Sequence, residues 1–152
     1  MAVACDFRIC DPTASFAEKW ITSGVVPPLG GMFLLPRLVG LQKATEMVLL
    51  GDSIHAEEAA RIGLANKVVP AAALEEEAAS LCARLANGPS RAYAVAKEGL
   101  RRGMESTLAS EWEFNLHAQV LLFQEPAFKA GSAPGSSAGG DGRKWPPLLQ
   151  RS

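Results

Sequence analysis

The chain has 152 residues, 48% of them hydrophobic and 20% charged, an ordinary globular composition and enough length for a domain with its own core. Lys and Arg total 15 against 16 Asp and Glu, a formal net charge of −1. So even a balance offers no basic face to neutralise a row of phosphates, which excludes nucleic acid as a partner.

In chain order, Ala2–Cys10 is rich in Val, Ile and Phe and closes on Asp11-Pro12, which predicts one buried strand ending in a turn. A core strand needs a neighbour for its edge, so the expectation is that a partner strand precedes it. From the pair Gly30-Gly31 the pattern turns helical through Met32, Phe33, Leu35 and Leu38 to a stop at Gly40, and a second helix is predicted over Gln42–Leu50, ending at Gly51. His55 opens a third, with Glu58 placed as in half of a capping box, and that helix stops at Gly63 before a short strand over Lys67–Val69.

Leu74, Ala78, Leu81 and Leu85 recur at helical spacing behind the carboxylates Glu75, Glu76 and Glu77, which favour a helix N-terminus. Ser90 is a candidate cap for the next helix, through Leu100. Ser106 or Thr107 is a candidate cap for a longer one with an apolar stripe of Leu108, Trp112, Leu116, Val120 and Phe123. After Ala130 the chain becomes a Gly, Ser and Pro-rich run, so residues 131–152 are expected to be a disordered tail.

Three cysteines, Cys5, Cys10 and Cys82, have no CxxC spacing, and His55 and His117 lie far from them. That argues against a disulfide framework or a metal site and for small apolar packing residues in a reducing, cytoplasmic setting. No run is apolar for long enough to suggest a signal peptide or a membrane span.

Three runs, Ala4-Cys5-Asp6-Phe7-Arg8-Ile9, Gly24-Val25-Val26-Pro27-Pro28-Leu29-Gly30-Gly31 and Leu35-Pro36-Arg37-Leu38-Val39-Gly40, are followed by Ala56-Glu57-Glu58-Ala59 and Ile62–Pro70. In this order and spacing they resemble successive signatures of the enoyl-CoA hydratase/isomerase, or crotonase, family, from about Met1 to Gly131. The resemblance implies an α/β fold. Residues 1–70 would be the last turn of a crotonase-like ββα spiral and 71–130 a helical C-terminal trimerisation region, with 131–152 as the tail. It implies an acyl-CoA thioester as substrate, with coenzyme A as part of that substrate and no separate cofactor. Chemistry would run through an enolate held at the thioester oxygen by two backbone N–H groups, in a homotrimer or dimer of trimers. The donors of that oxyanion hole, the earlier strands and the first hydratase glutamate are expected upstream of Met1.

The second hydratase glutamate lies, in the family, four residues after a Phe matched here by Phe16. That position holds Trp20, and an indole neither takes nor gives the proton, so the catalytic residues are left unknown. The substrate-binding candidates are Trp20, Pro27, Leu29, Gly30 and Gly31. Trp20 is read either as a wall for an acyl chain or as core, and the Pro27–Gly31 loop either as backbone donors at a helix start or as a tight turn that needs glycine dihedrals. Glu18 is the carboxylate nearest the lost base position, against its reading as a solvated loop residue. Asp6 is expected to satisfy backbone N–H groups at a strand end. The other reading of the whole chain is a non-catalytic assembly partner or a truncated product.

Overall fold

In the computed structural model, which describes residues 2–131, the segment Ala2–Cys10 is a strand only at its end. Ala2–Ala4 forms a 3-10 turn in which the Cys5 N–H donates to the Ala2 carbonyl at 3.1 Å, and β1 is Ile9–Cys10. The reason lies in Arg8, whose guanidinium donates both to the Cys5 carbonyl three residues back and to the Leu64 carbonyl. An extended strand would carry Cys5 out of that reach, so these charge-assisted bonds favour a folded-back segment. Arg8 N–H also donates to Asn66 Oδ1 and Asn66 N–H to the Arg8 carbonyl, both at 2.8 Å.

This tie brings β1 alongside β4 (Lys67–Val68) in parallel, with Ile9 opposite Lys67 and Cys10 opposite Val68. β2 (Ser15–Phe16) and β3 (Ile54–His55) pair antiparallel, Ser15 opposite His55. Between these strands run α1 (Gly31–Val39), α2 (Leu41–Leu50) and α3 (Ala56–Arg61). Parallel pairing of β1 with β4 requires such an intervening crossover. α2 ends where Gly51, at φ 69°, donates its N–H to the Met47 carbonyl. His55 stands before α3 in extended geometry, but its side chain makes no capping bond.

The chain divides into two compact units, Met1–Ala83 and Arg84–Ser152. The core of the first centres on Leu35, Met47 and Leu64, each fully buried, with Cys10, Ala44, Ile54, Ala56, Ala59 and Ala65 around them. Of the three cysteines only Cys10 packs as the sequence suggested, while Cys5 and Cys82 are exposed.

Helix α4 (Leu74–Ala86) leads into the second unit, which contains α5 (Ser90–Gly103), α6 (Leu108–Leu122) and α7 (Pro126–Gly131). α5 and α6 form a hairpin in which an added Cβ at Gly99 would stand 3.0 Å from the Phe114 ring. Arg102 lies over that ring and Phe123 packs on Phe128 at 4.7 Å. Ser90 proves to be the first residue of α5, and Pro89 holds the cap position. Thr107 caps α6, accepting from the Ser110 N–H at 3.3 Å. Among the described residues none beyond Val69 is buried, and Leu108, Trp112, Leu116 and Val120 on α6 are 63% exposed or more. The expected tail lies outside the described residues except for Gly131.

Candidate functional site

The 3-10 turn Lys19–Ser23 ends at Gly24, which takes φ 73° and donates its N–H to the Ile21 carbonyl, while Val25 N–H donates to the Trp20 carbonyl at 3.2 Å. The chain then passes through exposed Val25 and Val26 to buried Pro27. Leu29 follows at φ 56°, the one non-glycine with positive φ among the described residues, and Gly30 at φ 78°. Two consecutive left-handed residues reverse the chain so that Gly30 caps α1, its carbonyl accepting from the N–H groups of Phe33 and Leu34 at 3.0 and 2.9 Å.

The two glycines of the pair serve different needs. Gly30 supplies a left-handed dihedral. Gly31 permits a close approach, since an added Cβ would meet the Pro27 Cβ at 3.1 Å. Leu29 has neither excuse, and with a side chain 73% exposed it gains little burial. A left-handed L-residue costs about 1–2 kcal/mol, and such strain held in place by its surroundings concentrates at ligand-binding loops.

The candidate residues are placed as follows. Pro27, Leu29, Gly30 and Gly31 form one continuous turn at the N-terminus of α1, the end at which the helix dipole favours negative charge. Trp20 sits on the preceding 3-10 turn and is 45% exposed. Within 4 Å of the Gly31 Cβ position stand Pro27 and the Glu18 carboxylate, Oε1 at 4.0 Å, and no atom of Trp20. Asp6 is exposed in the bend between the first 3-10 turn and β1, not at a strand end.

Glu18 also borders a cavity of about 210 Å³ whose floor is Leu35, Met47 and Leu64. A wider groove of about 1500 Å³ lies within the second unit among α5, α6 and α7. The charged pair on its lining, Arg91 and Glu125, is engaged with itself at 3.2 Å. No group of three or more metal-ligating side chains occurs among the described residues, and no described helix is long and apolar enough to cross a membrane.

Electrostatic shifts lie away from the loop. Hydrogen bonds from the Thr13 hydroxyl and N–H hold the Asp11 carboxyl below its ordinary value, and hydrogen bonds from Arg61, helped by Lys43, do the same for Glu58. Burial, reinforced by neighbouring Asp11, pushes the Cys10 thiol up. Sequence reasoning missed the Arg8–Asn66 tie, whose partners are 58 residues apart, and it missed the proximity of Glu18 to Gly31.

A family model described as enoyl-CoA hydratase/isomerase matches residues 1–134. A protein named "Probable enoyl-CoA hydratase" from Rhizobium meliloti is 38% identical over 88% of this chain and 52% of its own length. A short-chain-enoyl-CoA hydratase from Clostridioides difficile is 38% identical over 86% of this chain and 84% of its own. The crystal structure of an enoyl-CoA hydratase/isomerase from Cupriavidus metallidurans superposes with a TM-score of 0.83 at 31% identity, covering 86% of this chain and 49% of that one. The chain thus spans about half the length of most of the relatives it matches.

Proposed function

This chain belongs to the enoyl-CoA hydratase/isomerase family, and from that premise we propose that it binds an acyl-CoA thioester against the Pro27–Gly31 turn and serves the family's enolate chemistry without the second glutamate. The observation that carries this reading is the turn itself. A leucine and a glycine in succession are held left-handed in front of α1. The surrounding structure tolerates that strain at the place where the family's site is expected.

Backbone N–H groups at a helix start suit a partly negative oxygen of a bound acyl-CoA, in addition to the two separate donors by which the family holds its enolate. Coenzyme A enters as part of the substrate, so no separate cofactor is required. Trp20, on the turn before the loop, provides an apolar surface for the acyl group and only an N–H donor. The part of the fold in hand is then the last turn of the ββα spiral with its helical region, in a cytoplasmic enzyme. The second unit buries none of its described residues, and α6 carries an exposed apolar face. A helix with such a stripe is stable against a partner, which supports a homotrimer or dimer of trimers. The same face supports a second reading, a non-catalytic assembly partner.

Titration of the ¹⁵N-labelled chain with crotonyl-CoA tests the proposal. The expected result is movement of the Leu29, Gly30 and Gly31 amides and of the Trp20 indole N–H. Shifts confined to the second unit would contradict it.

A further inference from the structure

The groove of the second unit has a wall from which the chain itself departs. Pro126 and Phe128 of α7 line it, and α7 ends at Gly131. The lining is aromatic and aliphatic, with Phe114, Phe123 and Phe128 beside Val95 and Leu122. No described residue of the unit is buried, and Phe123 is 47% exposed. Arg91 and Glu125, engaged with each other, mark the end of the groove next to α7. The other end holds Met104 and Glu111, and Glu111 forms no ion pair with a described residue.

We propose that this groove receives the chain's own run Trp145-Pro146-Pro147-Leu148-Leu149. Composition supports that occupant. Residues 132–142 contain only Gly, Ala, Ser, Pro and Asp, and every Trp and Leu after Gly131 falls in residues 145–149. Proline-rich segments dock in grooves lined by aromatic side chains, because their preformed backbone loses little entropy on binding. Reach supports it too. A Gly- and Ser-rich run the length of residues 132–142 spans ~17–20 Å on average, close to the ~21 Å length of the 14-residue α5. Trp145 can therefore stand at the Met104 end, with the cations Arg143 and Lys144 next to Glu111, where opposite charges set the orientation of the segment. None of Leu108, Trp112, Leu116 and Val120 lines the groove, so docking leaves the α6 stripe open to a partner. The segment is a tethered cap on the hairpin, and it acts independently of any acyl-CoA site.

The test uses the full 152-residue chain labelled with ¹³C-methyl methionine. Met104 reports from the groove, while Met32 and Met47 in the first unit serve as internal references. Trp145→Ala is expected to move the Met104 methyl resonance, by removing the ring current of the indole, and to leave Met32 and Met47 in place. Leu148→Ala combined with Leu149→Ala should move Met104 as well. Diluting the unaltered chain ~10-fold should leave Met104 where it is, since a tethered segment docks at an effective concentration that dilution does not change. A synthetic peptide of residues 143–152, added to the Trp145→Ala chain, should return the Met104 methyl toward its original position. Half-saturation is expected at or below the ~1 mM that a short tether supplies, for only then is the tethered copy docked most of the time. An unmoved Met104 in both variants, equal movement of Met32 and Met47, or no restoration by the peptide overturns the proposal. A Met104 resonance that shifts on dilution also overturns it, in favour of a segment donated by a second copy.

Discussion

Leu29 shows how one residue carries strain that its side chain cannot justify. With φ 56° and the side chain largely in solvent, Leu29→Gly relieves a penalty of about 1–2 kcal/mol at a glycine entropy cost of about 0.5–1 kcal/mol. The expected net gain is between zero and about 1.5 kcal/mol, read from the denaturant midpoint of unfolding, with weaker crotonyl-CoA binding if the loop's shape matters. Sequence reasoning marked the Gly30-Gly31 pair because glycine announces unusual dihedrals. It named Leu29 with the rest of the loop but could not foresee its left-handed backbone, since leucine does not favour that region and its backbone is set by neighbours. Glu58 offers a residue-scale test in pH. Its carboxyl lies below its ordinary value of 4.5 because Arg61 donates two hydrogen bonds at 2.7 Å. A depressed carboxyl stabilises the fold above its unfolded value, and that contribution is lost as pH falls through the lower folded value. Glu58→Gln should therefore lower stability slightly at neutral pH and flatten its loss below pH 4.5, where the two proteins converge. The effect is small because the Arg61 side chain is 72% exposed. An unaltered acid limb would show that this pair does not couple to folding.

Among the elements, helices were more legible than strands. The predicted helix over 42–50 lies within a residue of α2, and the helical spacing from Leu74 to Leu85 falls inside α4, because apolar periodicity acts locally. The strand predicted over Ala2–Cys10 shrinks to Ile9–Cys10, because Arg8 makes bonds to Cys5 and to Leu64 that no short window reveals. Caps show a similar divide. Thr107 bonds the Ser110 N–H and Ser90 bonds nothing as a cap. Thr107→Ala is therefore expected to cost about 0.5–2 kcal/mol, and Ser90→Ala no more than about 0.5 kcal/mol. Equal losses in thermal denaturation would refute the cap assignment.

At the scale of the whole molecule, the family was legible because several short signatures kept their order, and the match to residues 1–134 agrees with that reading. The arrangement of the site was less so. Glu18 and Trp20 lie two residues apart and both precede Gly31 by more than ten, and only folding shows that the carboxylate is the group beside the glycine. The cysteines report on the folded whole, since Cys5 and Cys82 are exposed whereas Cys10 is buried with its thiol pushed up. A thiol reagent at neutral pH is expected to modify two cysteines quickly and the third only with denaturant. Three fast reactions would mean that the Cys10–Val68 pairing opens readily.

The chain belongs to the enoyl-CoA hydratase/isomerase family, and the proposed role of Trp20 is to stand where the family places a proton-moving carboxylate. The most direct measurement joins the chain behind the upstream half of a hydratase relative, so that the backbone donors are supplied, and compares initial rates of crotonyl-CoA hydration with Trp20 and with Trp20→Glu. Because a placed carboxylate contributes ~10²–10⁴-fold through proton transfer, the glutamate variant is predicted to be faster by at least ~10-fold, with similar binding of a non-reactive acyl-CoA. Equal rates in the two chains would contradict the role assigned to Trp20.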